Sequence, residues 1–375
     1  MKVVHILNEI RPSGAEVMLK LAAPYWKDSG CELIALATAP QEGEYAATLR
    51  HCGYTVLHYP VPWRRPMRGL GLAQYTRSLA PDIVHIHTER NSSTLSLFLS
   101  LNHLNTVRTI HNSFPYCGHL RIRKSAERFL QLCLGSTQLS ISSSVYHNEL
   151  RNLHNPTTLC WNWFDEKTFR LPSQQEHRVA REQLGIGKHE FIVVSIGNGN
   201  EVKNYTAMIE ALPLLKNSST SDRSIRYFMV GNEHPSSVER KLASHLNLQN
   251  QVVFTGPKQD VLPYLWAANV FVMPSLYEGF GVSAVEALAT GIPTILSDCP
   301  GLRDFSQFAF DITWTAPESL SIASALMRVI ATKPLGFRNS ENARIAHREF
   351  NTEYRSAKYF QIWKDILARN FQKHK

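Results

Sequence analysis
A chain of 375 residues is longer than one hydrophobic core usually supports, so two domains of about 180 residues each are expected. Hydrophobic content of 43% with 19% charged residues is that of an ordinary globular protein, and the lack of any apolar run of about 18 residues argues against a transmembrane helix. Forty Lys and Arg against 31 Asp and Glu give a net charge of +9, which calls for an anionic partner: a phosphorylated substrate, an anionic lipid surface or a nucleic acid.

Met1-Lys2-Val3 leads directly into a short strand followed by Asn8 and Glu9, so no secretory leader is expected. Buried-type runs at Val3–Leu7, Leu33–Thr38, Thr55–His58, Ile83–His87, Thr106–His111, Gln138–Ser142 and Thr158–Asn162 alternate with helical stretches, the first over Ala15–Lys27 with Gly30 ending it. Six cysteines, at 31, 52, 117, 133, 160 and 299, lack paired or metal-type spacing and read as reduced, mostly buried cytoplasmic thiols. Two basic stretches with apolar residues among them, Val61–Arg68 and Leu120–Leu130, suit an anionic membrane surface, and equally a solvated basic helix face. No nucleic-acid-binding signature accompanies them, so no nucleic-acid partner is expected.

The polar stretch 171–190 reads as a linker after a first domain over 1–170. A second series of strands follows at Phe191–Ile196, Arg226–Val230, Val252–Thr255, Val270–Met273 and Thr294–Leu296, three of them followed by Gly197, Gly231 and Gly256. This second domain is expected over 191–350, with 351–375 as a final helix returning towards the first domain. The fold class is α/β, two doubly wound Rossmann-like domains facing a central cleft, where ligands gather at the carboxyl ends of the strands.

The most informative stretch is Ser275–Gly291. A turn holding Glu278, Gly279, Phe280 and Gly281 opens a helix at Val282, whose spacing Val282, Val285, Ala289 is helical and for which Gly291 is the expected stop. Its N-terminus offers free N–H groups to a phosphate, and Glu278 and Glu286 are acceptors for hydroxyl pairs; an acidic turn favoured by the helix dipole is the plainer alternative. Gly197-Asn198-Gly199 followed by Lys203 is a second diphosphate-type turn, with an ammonium at a helix start, although neither a Walker loop nor a GxGxxG fingerprint. Ser13-Gly14-Ala15-Glu16 is a similar turn in the first half, where Gly14 allows close backbone approach or Ser13 simply caps the helix. His111 leaves its strand into a long loop and is the candidate for polarising a hydroxyl. His85 and His87 are expected on opposite faces of one strand, and with no HxxxH or DxD sequence present, no metal site is expected.

Glu278 and Glu286, with seven residues between them, resemble the E-x7-E signature of retaining GT-B glycosyltransferases of family 4, also called glycosyl transferases group 1. Ser13–Glu16, Asp82–His87, Asn162–Asp165 with Phe169, and Lys203-Asn204 resemble the family's other motifs in order, so the likeness spans nearly the whole chain. It implies transfer, with retained anomeric configuration and no essential metal or cofactor, from a nucleotide diphosphate sugar, a UDP-sugar favoured over a GDP-sugar. The moving sugar would be a hexose or N-acetylhexosamine, and the acceptor a saccharide or lipid-linked molecule of bacterial surface polysaccharide assembly, at the inner face of the cytoplasmic membrane. It further implies that Glu278 contacts the donor sugar, Glu286 the ribose and Lys203 the diphosphate. Gly14, Gly281 and Val282 would lie by the phosphates, and His111 by the reacting sugar. Asn198 stands where the family commonly has Arg, and Trp163 where a Gly is usual. A sugar-nucleotide 2-epimerase of the same fold, or an inactive membrane-bound assembly partner, are the competing readings.

Overall fold
The computed structural model describes residues 1–62, 67–89, 91–215, 224–234 and 237–373. The chain divides into two compact units: residues 1–163 with 352–375, and residues 164–351. Half of the basic stretch Val61–Arg68, residues 63–66, lies outside the described residues.

The first unit holds β1 (Lys2–Leu7), β2 (Glu32–Ala37), β3 (Thr55–His58), β4 (Ile83–Ile86), β5 (Thr106–Ile110), β6 (Thr137–Ser140) and β7 (Thr158–Leu159). They form one parallel sheet in the order β3-β2-β1-β4-β5-β6-β7, so the winding reverses between β1 and β4. β1, β2 and β4 are mostly Val, Ile, Leu and Ala because helices cover both faces of such a sheet, whereas β5 and β6 also bury the polar Arg108 and Gln138. β7 stops at Leu159, short of the expected Asn162.

The final helix, Thr352–Lys373, belongs to this unit and packs on Gly14–Asp28. Aromatic rings make the joint: Trp26 lies 4.8 Å from Trp363 and its indole N–H donates to the Ser356 carbonyl at 3.0 Å. Trp163 is buried edge-on against Trp26 and Tyr359, and donates to the Met18 carbonyl at 3.2 Å. Trp163 therefore fastens the last helix to the rest of the first unit.

The second unit holds β8 (Phe191–Ile196), β9 (Ile225–Val230), β10 (Val252–Phe254), β11 (Val270–Met273), β12 (Thr294–Ser297) and β13 (Thr313–Thr315). The order is β10-β9-β8-β11-β12-β13, again parallel, and the winding reverses between β8 and β11. The three-residue β13 was not expected from the sequence. The stretch 171–190 also departs from a linker: it carries a helix, Gln174–Gln183, with Ser173 and Glu176 closing a capping box, and it belongs to the second unit. The chain passes between units instead at Trp163–Phe164 and at Asn351–Thr352.

All six cysteines are free; Cys31, Cys160 and Cys299 are buried, whereas Cys117 and Cys133 are exposed. Among the described residues no helix is long and apolar enough to cross a membrane.

Candidate functional site
Ligands of doubly wound sheets sit beyond the carboxyl ends of the strands where the winding reverses. In the second unit that point lies between the segments leaving β8 and β11, which are the two turns singled out in the sequence. After β8, Asn200 caps a single 3-10 turn, Glu201–Lys203, by accepting from the Lys203 N–H at 3.1 Å. Asn204 then takes a left-handed conformation and its side-chain amide donates to the carbonyls of Pro274 and Pro317. Those bonds tie the β8 turn to the segments that leave β11 and β13. Lys203 is thereby aimed at the second turn, and its ammonium lies 2.7 Å from a Glu278 carboxylate oxygen that also accepts from Ser275 Oγ at 2.6 Å.

Beyond Glu278, Gly281 holds a left-handed φ of +86° and starts the helix Val282–Ala289. A Cβ there would stand 2.7 Å from Leu302 Cδ2, so the sharp entry is reserved for glycine. The N–H groups of Ala284 and Val285 close onto the Gly281 carbonyl, which leaves Val282 and Ser283 before the first intrahelical bond. Gly279 is buried, and Phe280 turns its ring into a cluster with Phe305 and Phe350, so the turn presents its backbone and not that ring. The helix ends as expected, with Thr290 as its C-cap and Gly291 at φ +68°.

Glu286 lies in the second turn of this helix, later than its expected place near the start. It is half-buried, and loss of water contact, then the nearby Asp165 charge, push its carboxyl up to about 7. Asn198 is exposed and its side-chain oxygen accepts from the Asn232 N–H at 3.3 Å. That bond and Gly199 N–H to the Asn232 carbonyl at 2.8 Å zip the loop after β8 to the loop after β9, a role that a charged side chain at 198 would not share. Gly231 makes the approach feasible, since a Cβ there would lie 2.1 Å from the Gly197 carbonyl oxygen.

In the first unit the winding reverses between β1 and β4. Gly14 is exposed and is the first residue of the helix Gly14–Asp28. Ser13 does not cap that helix with its side chain; its hydroxyl donates to the buried carboxyl of Glu16. Next to β1, the histidines contradict the expectation of opposite faces. Residues two apart on a strand share a face, and the rings of His85 and His87 stack at 4.3 Å. His5 joins them, and the three offer ring nitrogens within 4.8 Å of one another, the one such group of metal-ligating side chains found among the described residues. Their ring planes lie within 28° of each other in pairwise stacks, whereas ligands of one ion must each aim a lone pair, in the ring plane, at a common point. His111, half-buried just beyond β5, places Nε2 3.3 Å from His87 Nδ1. Burial, then the charge of Arg108, hold His111 down to about 4, so it is neutral at pH 7.

Sequence reasoning missed a buried polar network beside β5. Arg128 pairs with Glu149 at 3.0 Å and with Glu89 at 3.0 Å, and Arg108 pairs with Glu89. The two guanidinium charges overcome the burial of Glu89 and hold its carboxyl down to about 2. Its only sequence signal is the inverted helix Gly118–Cys133, which buries Arg128 and Gln131 and exposes Ile122 and Phe129.

Two family profiles match the chain, Glycosyl transferases group 1 over residues 176–345 and Glycosyltransferase Family 4 over residues 12–195. Among curated relatives, a D-inositol 3-phosphate glycosyltransferase of Gordonia bronchialis is 34% identical over 132 residues, 33% of this chain, and that alignment spans only 29% of the relative's length. The N-acetyl-alpha-D-glucosaminyl L-malate synthase of Bacillus anthracis is 21% identical over 84% of this chain and 82% of its own length. The fold is shared with a glycosyltransferase from Rickettsia africae (TM-score 0.80, 18% identity, 98% of each chain) and with HepE from Anabaena in complex with UDP (TM-score 0.79, 18% identity, 97% of this chain and 100% of that one). The two profiles together run from residue 12 to residue 345, and on that ground this chain belongs to the group 1, family 4 glycosyltransferases of GT-B fold.

Proposed function
We propose that the chain moves a hexose or N-acetylhexosamine from a nucleotide diphosphate sugar to a saccharide or lipid-linked acceptor, with retention at the anomeric carbon and without an essential metal or cofactor. The observation that carries this reading is the Lys203–Glu278 pair at 2.7 Å, set beside the open N-terminus of Val282–Ala289. A departing diphosphate needs positive charge where its negative charge grows, and an ammonium with a helix N-terminus supplies it without an ion. In the resting state Glu278 holds that ammonium in place. When a donor arrives, the phosphates take Lys203 and Glu278 is left to accept from sugar hydroxyls. Glu286 would accept from the ribose, the Gly281 and Val282 backbone would face the phosphates, Gly14 would lie by the diphosphate and His111 by the reacting sugar. A UDP-sugar is favoured because the similarly folded HepE was solved with UDP and with UDP-glucose.

Surface polysaccharide assembly at the inner face of the cytoplasmic membrane is the setting proposed. The helix Gly118–Cys133 supports it, since Leu120, Ile122, Phe129 and Leu130 are exposed beside Arg121, Arg123 and Lys124. Apolar side chains flanked by cations suit an anionic lipid surface. Binding to vesicles rich in phosphatidylglycerol should fall about tenfold in Ile122→Asp; equal binding by the variant removes this part of the proposal.

The functional test is incubation with UDP- and GDP-sugars, with and without saccharide acceptors, followed by NMR of the product. An axial donor linkage that remains axial supports the proposal. Inverted product, or isomerised donor with no acceptor present, overturns it.

A further inference from the structure
Three adjacent strands of the first unit bring a row of imidazoles together. His5 on β1 and His85 on β4 are register partners, His87 lies two residues further along the same face, and His111 directly follows β5. His5 Nδ1 is 3.0 Å from His87 Nε2, and His87 Nδ1 is 3.3 Å from His111 Nε2. His87 thus uses both ring nitrogens on other imidazoles. His85 stays outside this chain, bonding Thr109 Oγ1 at 2.7 Å while its ring stacks on His87. The row runs from the solvent-free core at His5 to the half-buried His111.

Burial holds His5 down to about 3 and His85 and His87 well below the ordinary histidine range, so each ring is neutral, with one N–H and one bare nitrogen. The protons can be ordered in two ways. In one, His5 Nδ1–H donates to His87 Nε2 and His87 Nδ1–H donates to His111 Nε2, so that His111 carries its proton on Nδ1. In the other every bond reverses, and His5 must carry its proton on Nε2. That nitrogen is buried and has no hydrogen-bond partner among the described residues. An orphaned buried N–H is rarer than an orphaned acceptor, because the donor has a single direction to satisfy. The first order is therefore the stable one.

We infer that His87 is a positioning residue: the His5–His87–His111 chain fixes the His111 ring plane and its Nδ1–H tautomer, leaving His111 a hydrogen-bond donor for a hydroxyl of the substrate sugar. This rests on the reading of His111 as a sugar-facing group. The His5 end anchors the row in an aromatic core, with Trp26 stacked at 5.5 Å and Trp363 edge-on at 5.7 Å.

Long-range proton–nitrogen spectra of the histidine-labelled wild-type protein at pH 7.5 read the tautomer directly. His111 protonated on Nδ1 and bare on Nε2 is expected; the reverse tautomer overturns the inference, with no variant needed. Kinetically, His87→Phe keeps a stacked ring and removes both nitrogens. It should lower kcat about ten- to a hundredfold with KM for the donor changed less than about twofold, and His87→Asn, which restores an amide N–H near Nδ1, should recover part of the loss. Wild-type kcat in His87→Phe, or equal losses in kcat and in donor binding, overturns it. Absence of transfer from any nucleotide sugar defeats the functional reading and the catalytic half of this inference, whereas the tautomer is decided by the spectrum alone.

Discussion
The two units reverse their winding in the same way, yet the two switch points are chemical opposites. At β8 and β11 the side chains are charged: an ammonium and a carboxylate 2.7 Å apart, beside a helix end with unsatisfied N–H groups. At β1 and β4 they are neutral rings, His5, His85 and His87, stacked on one another, with Trp26 stacked on His5 and Trp363 edge-on to it. Topology therefore chooses where a ligand can sit, and the side chains at the strand ends choose which ligand. The charged point suits a phosphate, and the neutral one suits hydroxyl groups that are positioned by hydrogen bonds without being ionised.

Removing the charge breaks this contrast most severely. Lys203→Ala and Glu278→Ala should each lower turnover by about 10²–10³ while far-ultraviolet circular dichroism stays that of the wild type. The double variant should lose much less than the product of the two, because the residues act on one group. Turnover within a factor of about three of wild type in either single variant removes the charged switch point from the mechanism.

Glu286 gives an intermediate effect with a defined pH window. Its folded pKa of about 7 is raised above the ordinary value near 4.3, so its contribution to stability is fully present below pH ~4.3 and is lost as pH rises to about 7. Glu286→Gln should accordingly raise the melting temperature at pH 8 by about 2 °C and leave it nearly unchanged at pH 4.5. Donor binding should run the other way, strengthening in the wild type between pH 6 and pH 8 as the carboxylate forms, and losing that dependence in the variant. Calorimetry across pH checks both signs.

The smallest change sharpens the comparison. Asn198→Arg adds a cation at the charged point but gives up the bond to the Asn232 N–H. A gain of about threefold in nucleoside diphosphate affinity, measured by calorimetry, is expected. A loss would show that the zipped β8 and β9 loops matter more than the added charge.

Much of this was legible in the sequence. The limits of β3, β8 and β11 match the apolar runs, and the helix at Val282 begins and ends where its glycines place it. Other features were hidden for identifiable reasons. The capping box at Ser173 and Glu176 was present in a stretch whose polarity resembles a linker, because Gln174–Gln183 buries little besides Ala180 and Arg181. The histidine row follows from the two-residue period of a strand, which puts His85 and His87 on one face. Arg128 and Glu149 are buried charges that satisfy each other across 21 residues of sequence, and a hydrophobic pattern cannot announce such a pair.

In the proposed function the β8–β11 switch point of the second unit holds the donor's diphosphate. Isothermal titration of UDP into the wild type and into Lys203→Ala tests it most directly. Saturable one-to-one binding by the wild type, weakened at least about tenfold in the variant, is the predicted result. Equal affinity in the two proteins would contradict the account.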